Sequence, residues 1–408
     1  MSVDVHRHSR PGLVLAWLPA TALAAAMVLA ALFRQPPDRL ADLYVYRGAV
    51  SGLLDGQSLY DFMTSNDAPF TYPPFAGLIL LPLAGLPEWQ AGIAWTVASV
   101  AVGFGIAALV ARVARPAMPR AWRRWLPAGL AAALFASSPV SSNLRFGQVS
   151  IVLAVLVLID MIGPRPSRWR GVLTGLAAAV KLTPLIFIPL LWLAGRRRAA
   201  VTASITFAAA AALAWAILPD DSARFWGTEV WRVSRLGHIA TGGNQSVNGA
   251  LLRFGLDDET RFALTAAASV VVGALALWRG AVAGRSGDWL SAVVVVGAAS
   301  VVISPVSWTH HQIWLVLAAV LPVRGSTIVR LAWPLVALGV MIFPVTSLGS
   351  LPGPAGDLLE NLRLLLAMVI AGALPLDRRL PRSATDDAAG MLAPGSPATP
   401  HPMPAAQA

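Results

Sequence analysis

The amino-acid sequence predicts an all-α integral membrane protein, a polytopic bundle of about twelve transmembrane helices. Of its 408 residues, 56% are hydrophobic and 12% are charged, whereas a soluble domain carries about 25% charged residues. Stretches of roughly 18 or more mostly apolar residues recur along the chain, as membrane-spanning helices require. These stretches are continuous and do not alternate with a period of two residues, which excludes a transmembrane β-barrel.

The distribution of charge favours a membrane protein over a nucleic-acid-binding protein. The net charge is +11, but the arginines cluster at the ends of apolar segments, which is typical of loops that stay in the cytoplasm. No aromatic residues alternate with the basic ones, so no nucleic-acid partner is predicted. Cysteine is absent, which excludes disulfides and cysteine-based metal sites.

The order of apolar and polar segments predicts one transmembrane domain over residues 13–376. Residues 1–12 are predicted to be a cytoplasmic tail, and residues 377–408, rich in Pro, Ala and Ser, a disordered cytoplasmic tail. The positive-inside rule places the polar stretch 34–71 outside the cell. Residues 75–86 are too few to cross and are predicted to be re-entrant or interfacial. Further spans are predicted at 91–110, 125–139 and 148–162. A pair of broken helices is predicted within 171–195, followed by a span that ends near residue 218. The last five spans are predicted at 262–278, 289–303, 311–323, 329–345 and 362–376.

Five polar islands interrupt this pattern, and all five fall on the predicted outer side. They lie around Asp42, Arg145, Lys181, Asn244 and the pair His310-His311. The predicted cytoplasmic loops contain arginines and few other polar residues. Because an arginine bias does not explain histidine, asparagine, glutamine and tryptophan on the other side, we predict that the islands form one site there.

Lys181 is the only lysine of the chain and lies inside an apolar segment. An ionisable group at mid-span costs about 2.5–3.5 kcal/mol on insertion scales, so such a residue is a candidate functional group. The alternative is a lysine whose amine reaches the membrane interface from a helix end. A nearby Pro184 is expected to break the helix, because proline lacks an N–H and disfavours helix at the residue before it.

The other islands each suit a role and each have a simpler explanation. Asp42 suits a general base, with Tyr44 and Tyr46 beside it as sugar contacts, although an isolated loop aspartate is usually just solvated. His310 and His311 suit phosphate contact or proton relay better than metal binding, or they belong to an interfacial aromatic belt.

Two further islands leave the choice of role open. Arg145 is either an outer anion contact or an interface anchor. The sequence Asn244-Gln245-Ser246 has the form of a glycosylation sequon and equally suits a loop that binds the acceptor.

The predicted site points to group transfer from a lipid-linked donor. The sequence has no Walker motif and no glycine-rich dinucleotide-binding turn, and nucleotide sugars are not present outside the cell. A polyprenyl-phosphate sugar is therefore the expected donor, with cations stabilising the departing phosphate and a carboxylate taking the proton of the attacking hydroxyl.

Six motifs, in order along the chain, resemble those of glycosyltransferase family 87. The resemblance is strongest to the actinobacterial polyprenol-phosphate-mannose-dependent α-1,2-mannosyltransferases that extend phosphatidylinositol mannosides. Each motif is weak by itself, and the combination is specific. The motifs are Asp42-Leu43-Tyr44-Val45-Tyr46, Phe70-Thr71-Tyr72-Pro73-Pro74-Phe75-Ala76, Phe146-Gly147-Gln148, Val180-Lys181-Leu182-Thr183-Pro184, Asn244-Gln245-Ser246 and Ser304-Pro305-Val306-Ser307-Trp308-Thr309-His310-His311.

The resemblance implies a GT-C-type fold in the plasma membrane, with the active site outside and both termini in the cytoplasm. It implies a mannosyl-phosphopolyprenol donor, a glycolipid mannoside acceptor and inversion at the sugar, with no cofactor and no metal. It places Asp42 at the position of the catalytic aspartate and a functional histidine at His310 or His311. From the chemistry of the residues we further predict Lys181 and Arg145 as contacts of the donor phosphate. Substrate contacts are predicted at Tyr46, Tyr72, Asn244, Gln245 and Trp308.

Two alternatives to this hypothesis stay open at the level of sequence. A transporter or lipid flippase would also use broken helices, but it usually shows repeat symmetry, and none is seen. An arabinofuranosyltransferase would use a different polyprenyl-phosphate sugar in a similar site.

Overall fold

The protein is built from α-helices joined by short 3₁₀ turns, which confirms the predicted all-α class. The computed structural model describes residues 10–35, 38–65, 67–164, 166–232, 237–351 and 353–377. Within these ranges the only β-structure is two isolated bridges. The predictions for residues 1–9 and for the tail from 378 onward lie outside the described residues.

Nineteen α-helices occur in the described part of the chain. They are α1 (Arg10–Leu15), α2 (Leu18–Leu32), α3 (Ala41–Leu54), α4 (Pro74–Leu80), α5 (Glu88–Ala114), α6 (Leu126–Ala136), α7 (Ser138–Phe146), α8 (Ser150–Ile162), α9 (Val172–Val180), α10 (Phe187–Leu193), α11 (Arg197–Ile217), α12 (Pro219–Gly227), α13 (Val247–Arg253), α14 (Asp258–Arg285), α15 (Trp289–Ile303), α16 (Ile313–Leu317), α17 (Thr327–Ile342), α18 (Pro354–Glu360) and α19 (Leu362–Met368).

In the part of the chain that the structure describes, four helical segments are long and apolar enough to cross a membrane. They are Gly12–Leu32, Glu88–Ala117, Arg197–Ile217 and Asp258–Arg285, and seven further apolar helices of 10–17 residues accompany them. At a rise of about 1.5 Å per residue, the shorter helices do not reach the roughly 30 Å of a bilayer core by themselves. The membrane class is thus confirmed, while the number of crossings stays a prediction.

The polar stretch 34–71 was predicted as a loop, but it contains the 14-residue helix α3. Its buried residues include Leu43, Tyr46 and Val50, which are spaced as on one face of a helix. The polar residues around them make this spacing hard to recognise in the sequence. Asp42 lies in the first turn of this helix, where a negative charge interacts favourably with the helix dipole.

Two predicted spans are also divided. The segment 125–139 breaks at the extended Ser137, because Pro139 in the first turn of α7 cannot continue the hydrogen bonds of α6. As a result, residues 143–146 belong to α7, and the turn to α8 consists of residues 147–149, beginning with Gly147 at φ +70°. The segment 311–323 contains a five-residue helix and a 3₁₀ turn, because Pro322 disfavours helix at the residue before it.

The core of the bundle is α15, which is buried along nearly all its length. Glycine lets neighbouring elements approach it closely. A Cβ at Gly297 would lie 2.3 Å from the ring of Trp314, and a Cβ at Gly280 on α14 would lie 2.8 Å from Val296. Small residues at such contacts are the usual means of helix association in a membrane.

Close contacts at glycine also position α9, the helix that ends just before Lys181. A Cβ at Gly171 or Gly175 would lie within 2.5 Å of the carbonyl oxygens of Ala199 and Ala203 on α11. Asp160 accepts hydrogen bonds from Gly171 N and Thr174 N at 2.8 and 2.9 Å and so caps the start of α9. The predicted break of the helical pair is present, but it begins at Lys181, which is extended, before Pro184 is reached.

Candidate active site

The site begins with Asp42, on the side of α3 that faces the turn between α7 and α8. Gln148 Nε2 donates a hydrogen bond of 2.6 Å to Asp42 Oδ2. Gln148 is positioned by the preceding Gly147, which has a left-handed backbone. Gly147 packs directly against Leu43, because a Cβ at position 147 would lie only 2.6 Å from Leu43 Cβ. Any side chain at position 147 would therefore separate the amide from the carboxylate.

Two buried tyrosines complete the surroundings of Gln148. The hydroxyl groups of Tyr46 and Tyr72 donate to Gln148 Oε1 at 3.1 and 3.0 Å and lie 2.8 Å from each other. This amide therefore has its oxygen turned to the two phenols and its nitrogen turned to Asp42. Tyr46 and Tyr72, predicted as substrate contacts, form an inner layer that orients Gln148, and their contact with substrate stays a prediction.

Tyr72 connects this layer to the amine of Lys181. Lys181 Nζ lies 3.4 Å from the Tyr72 hydroxyl oxygen and 5.0 Å from the centre of the same ring. It also lies 2.9 Å from His311 Nε2. The main-chain N–H of Trp308 donates to His311 Nδ1 at 3.1 Å, so the imidazole is held from both sides.

Asp42, Gln148, Tyr72, Lys181 and His311 thus form one hydrogen-bonded chain across five separate parts of the sequence. A carboxylate stands at one end and an amine–imidazole pair at the other. Burial raises the pKa of the Asp42 carboxyl from 3.8 to about 6, and the Gln148 hydrogen bond and the Lys181 charge limit that rise. The carboxyl group therefore titrates close to neutral pH, as a general base requires.

A cavity continues past Lys181 and His311 between α8, α10 and α15. Its space, part of it open to solvent, amounts to about 500 Å³, and its apolar walls include Leu153, Phe187 and Trp314. Ser150 and Ser307 also line it, and within the described structure their buried hydroxyl oxygens have no hydrogen-bond partner. The cavity is therefore polar and cationic at one end and apolar beyond, which matches an amphipathic ligand.

Of the two histidines, His311 joins the chain of hydrogen bonds and His310 does not. His310 is buried behind its neighbour, with the two ring centres 4.5 Å apart. Its Nδ1 lies 3.4 Å from Ser142 Oγ. Its Nε2 has no hydrogen-bond partner among the described residues. The structure thus distinguishes two residues that the sequence leaves equivalent.

Arg145, predicted to contact the donor phosphate, lies at the surface. Its guanidinium is 4.0 Å from the carboxylate of Asp38 and 4.9 Å from the centre of the Phe146 ring. Its side chain is 43% exposed. The described contacts join it neither to Lys181 nor to His311, so its predicted role stays untested.

The predicted acceptor residues Asn244 and Gln245 are fully buried and bind main-chain groups. Asn244 Oδ1 accepts from Ser307 N at 2.9 Å, and Gln245 Oε1 accepts from Leu364 N at 2.9 Å. Gln245 Nε2 donates to the carbonyl oxygens of Gly242 and Glu360, both at 2.7 Å. These amides hold the segment that carries Trp308, and an Asn244 so buried is no accessible glycosylation site.

Gln148, Ser150 and Ser307 are the site residues that sequence reasoning missed as individual contacts. Gln148 and Ser307 do occur in two of the six motifs, and a lone amide at the start of an apolar helix is a usable signal. Ser150 gives no such signal, since serine is common near helix starts. Among the described residues, no group of three or more His, Asp or Glu side chains could hold a metal ion together.

An apolar helical bundle with a carboxylate facing an amine across one buried site defines a membrane-embedded group-transfer enzyme. Residues 70–305 match the model of glycosyltransferase family 87, and the chain belongs to that family. The family is of the GT-C type, which agrees with the all-helical fold.

Curated relatives extend the match over most of the chain. A polyprenol-phosphate-mannose-dependent alpha-(1-2)-phosphatidylinositol mannoside mannosyltransferase of Mycobacterium tuberculosis is 35% identical over 357 residues, 83% of each chain. Its counterpart in Mycolicibacterium smegmatis is 36% identical over 78% of each chain. A phosphatidylinositol pentamannoside mannosyltransferase of the latter organism is 32% identical over 67% of each chain.

Proposed function

We propose that this enzyme transfers a mannosyl group from a polyprenyl-phosphate donor to a hydroxyl of a phosphatidylinositol mannoside, with inversion at the sugar carbon. The observation that carries the proposal is the chain of contacts from Asp42 through Gln148 and Tyr72 to Lys181 and His311. It has a carboxylate at one end and an amine beside an imidazole at the other, which suits a base and a leaving-group site on two sides of one sugar ring. Inversion needs this arrangement, because the nucleophile and the leaving group lie on opposite faces of the ring.

The donor's phosphate is assigned to the polar end of the cavity. Lys181 Nζ provides N–H donors there beside His311, and the unpartnered hydroxyls of Ser150 and Ser307 provide two more. Charge-assisted hydrogen bonds of this kind are the strong ones in a buried site. The apolar wall, including Phe187, then receives the first isoprene units of the donor.

The reaction moves one proton and exchanges one bond. The acceptor hydroxyl gives its proton to Asp42 as its oxygen bonds to the sugar carbon. The bond between that carbon and the phosphate oxygen breaks, and the polyprenyl phosphate leaves with the electron pair. Lys181 stabilises the charge that develops on this oxygen, an electrostatic role that requires no cofactor and, in our proposal, no metal.

The proposal is tested with purified enzyme in neutral-lipid vesicles. We expect labelled mannose to pass from polyprenyl-phosphate mannose to a phosphatidylinositol mannoside in a bond that an α-mannosidase cleaves. Polyprenyl-phosphate arabinofuranose is the matched donor control and is expected to give no product. Transfer of the pentose alone, or movement of lipid without any sugar transfer, would contradict the proposal.

We also propose that the site faces the extracytoplasmic side of the plasma membrane. The chain has no cysteine, so single cysteine variants report one position each. In intact cells, a membrane-impermeant maleimide is expected to label Ser65→Cys, in the exposed segment after α3, and not Ser167→Cys, in the exposed segment after α8. Both variants should be labelled after the cells are opened. Labelling of Ser167→Cys alone in intact cells would reverse the proposed orientation.

A further inference from the structure

We infer that a groove between α3 and α5 binds the phosphate-bearing head group of the acceptor lipid, an inference that rests on the proposed function. The groove is lined by Arg39, Tyr44 and Arg47 on one side and by Glu88 and Trp89 on the other. The space between these residues, part of it open to solvent, amounts to about 370 Å³. It is separate from the cavity that lies beyond Lys181.

Helix α3 places this groove directly beside the proposed base. Leu43, Tyr44 and Arg47 share one face of α3 and line the groove together with Leu40, the residue that precedes the helix. Asp42 lies on the neighbouring face and reaches Gln148. A molecule bound in the groove therefore needs to extend only around one side of α3 to bring a hydroxyl to Asp42.

The charge of the groove favours an anion. Arg39 pairs with Glu88 at 2.8 Å, which leaves Arg47 as the excess positive charge among the lining residues. Arg47 donates from Nε to the Leu86 carbonyl oxygen at 3.1 Å, and no described carboxylate pairs with its guanidinium. The Leu86 contact fixes the arginine's plane, so its terminal N–H groups can serve a phosphodiester as a fork.

The aromatic residues of the groove and the exposed apolar residues that follow it on α5 match the order of parts in a glycolipid. Trp89 and Tyr44 are 45% and 47% exposed and offer ring faces to a sugar or an interface. Below Trp89, at four-residue spacing on α5, Ile93 and Val97 are 38% and 56% exposed and form an apolar stripe for acyl chains. The phosphate of a lipid lying on this stripe would meet Arg47, and its sugars would continue toward Asp42.

The test measures binding and transfer separately, in nanodiscs of neutral lipid. Without donor, Arg47→Gln is expected to weaken binding of labelled phosphatidylinositol mannoside about tenfold, the loss of one partly exposed charge-assisted contact. With donor, the acceptor KM should rise by a similar factor at nearly unchanged kcat and donor KM. Arg47→Lys should restore part of the affinity. Arg232→Gln, a 54% exposed arginine elsewhere on the chain, is the matched control and should leave all these values unchanged.

Two comparisons separate the possible failures. An alkyl mannoside acceptor, which has no phosphate, should be used equally by wild type and Arg47→Gln, and an equal loss with both acceptors would overturn the inference. If activity of the wild type depends on added phosphatidylglycerol and Arg47→Gln abolishes that dependence for both acceptors, the groove binds bulk lipid and the acceptor assignment is wrong. If the wild type transfers mannose normally and Arg47→Gln behaves like it, only the assignment of the groove is refuted. If the wild type transfers no mannose, the proposed function itself is refuted.

Discussion

Replacing Asp42 with asparagine is expected to lower the rate of mannosyl transfer by about 10²–10⁴-fold, the usual contribution of a general base. The asparagine keeps the size of the side chain and a hydrogen-bonding oxygen for Gln148, but it cannot take a proton from the acceptor. Binding of both substrates should therefore change little. The measurement is kcat with polyprenyl-phosphate mannose and a phosphatidylinositol mannoside, together with the amount of folded protein in the membrane.

Asp55→Asn is the matched control, because Asp55 is an exposed carboxylate at the other end of the same helix, α3. It should retain wild-type activity. If Asp42→Asn retained more than half of the wild-type kcat, Asp42 could not be the base, and another acceptor for the proton would have to be found.

The pH dependence of the same reaction follows from the pKa of Asp42. The pKa is raised to about 6 by burial, and the base acts when ionised, so the rate should rise with pH through about 6 and level off above it. An unperturbed aspartate would give this rise near pH 4. Gln148→Leu removes a hydrogen bond that favours the ionised form, so it should shift the rise to higher pH.

Replacing Lys181 with methionine is expected to lower kcat by about 10²–10³-fold, as when one preorganised donor to a developing negative charge is removed. Methionine has a similar length and suits the apolar surroundings, so the change removes the charge with little loss of packing. Inhibition by free polyprenyl phosphate should weaken in parallel, because the same amine is proposed to bind that product. A residue with only a structural role would not alter product inhibition selectively.

Arg168→Met, at an exposed cation in the segment before α9, is the control for loss of a positive charge and should leave both values unchanged. A Lys181→Met variant with a reduced kcat and unaltered inhibition by polyprenyl phosphate would remove Lys181 from the phosphate site. In that case its contacts with Tyr72 and His311 would serve only to orient the neighbouring groups.

Much of the site was predictable because its residues are chemically out of place in an apolar chain. A single lysine within an apolar segment and two adjacent histidines between apolar segments attract attention by the cost of burying them. Asp42 was less conspicuous, since an aspartate in a polar stretch is ordinarily solvated. The motifs around it, more than its own surroundings, singled it out.

Whether the polar side chains of these islands face a ligand or turn inward was not predictable from the sequence. Asn244 and Gln245 are residue types that also occur in substrate-binding loops. Their side-chain amides nevertheless form hydrogen bonds with main-chain groups of Ser307, Leu364 and neighbouring turns. Nothing in a local sequence specifies whether an amide will meet a ligand or a distant carbonyl. The role of Gln148 was missed for the same reason.

Composition and the length of the apolar stretches were sufficient for the membrane class and the helical architecture, since these follow from the cost of leaving backbone polar groups unpaired in lipid. The presence of α3, the choice of His311 over His310 and the link from Asp42 to Lys181 required the folded chain. Each of these depends on contacts between segments separated by about a hundred residues or more, or on a short buried helix within a polar stretch. Such contacts are set by the packing of α9 on α11 and by the turn at Gly147, which no single stretch of sequence contains.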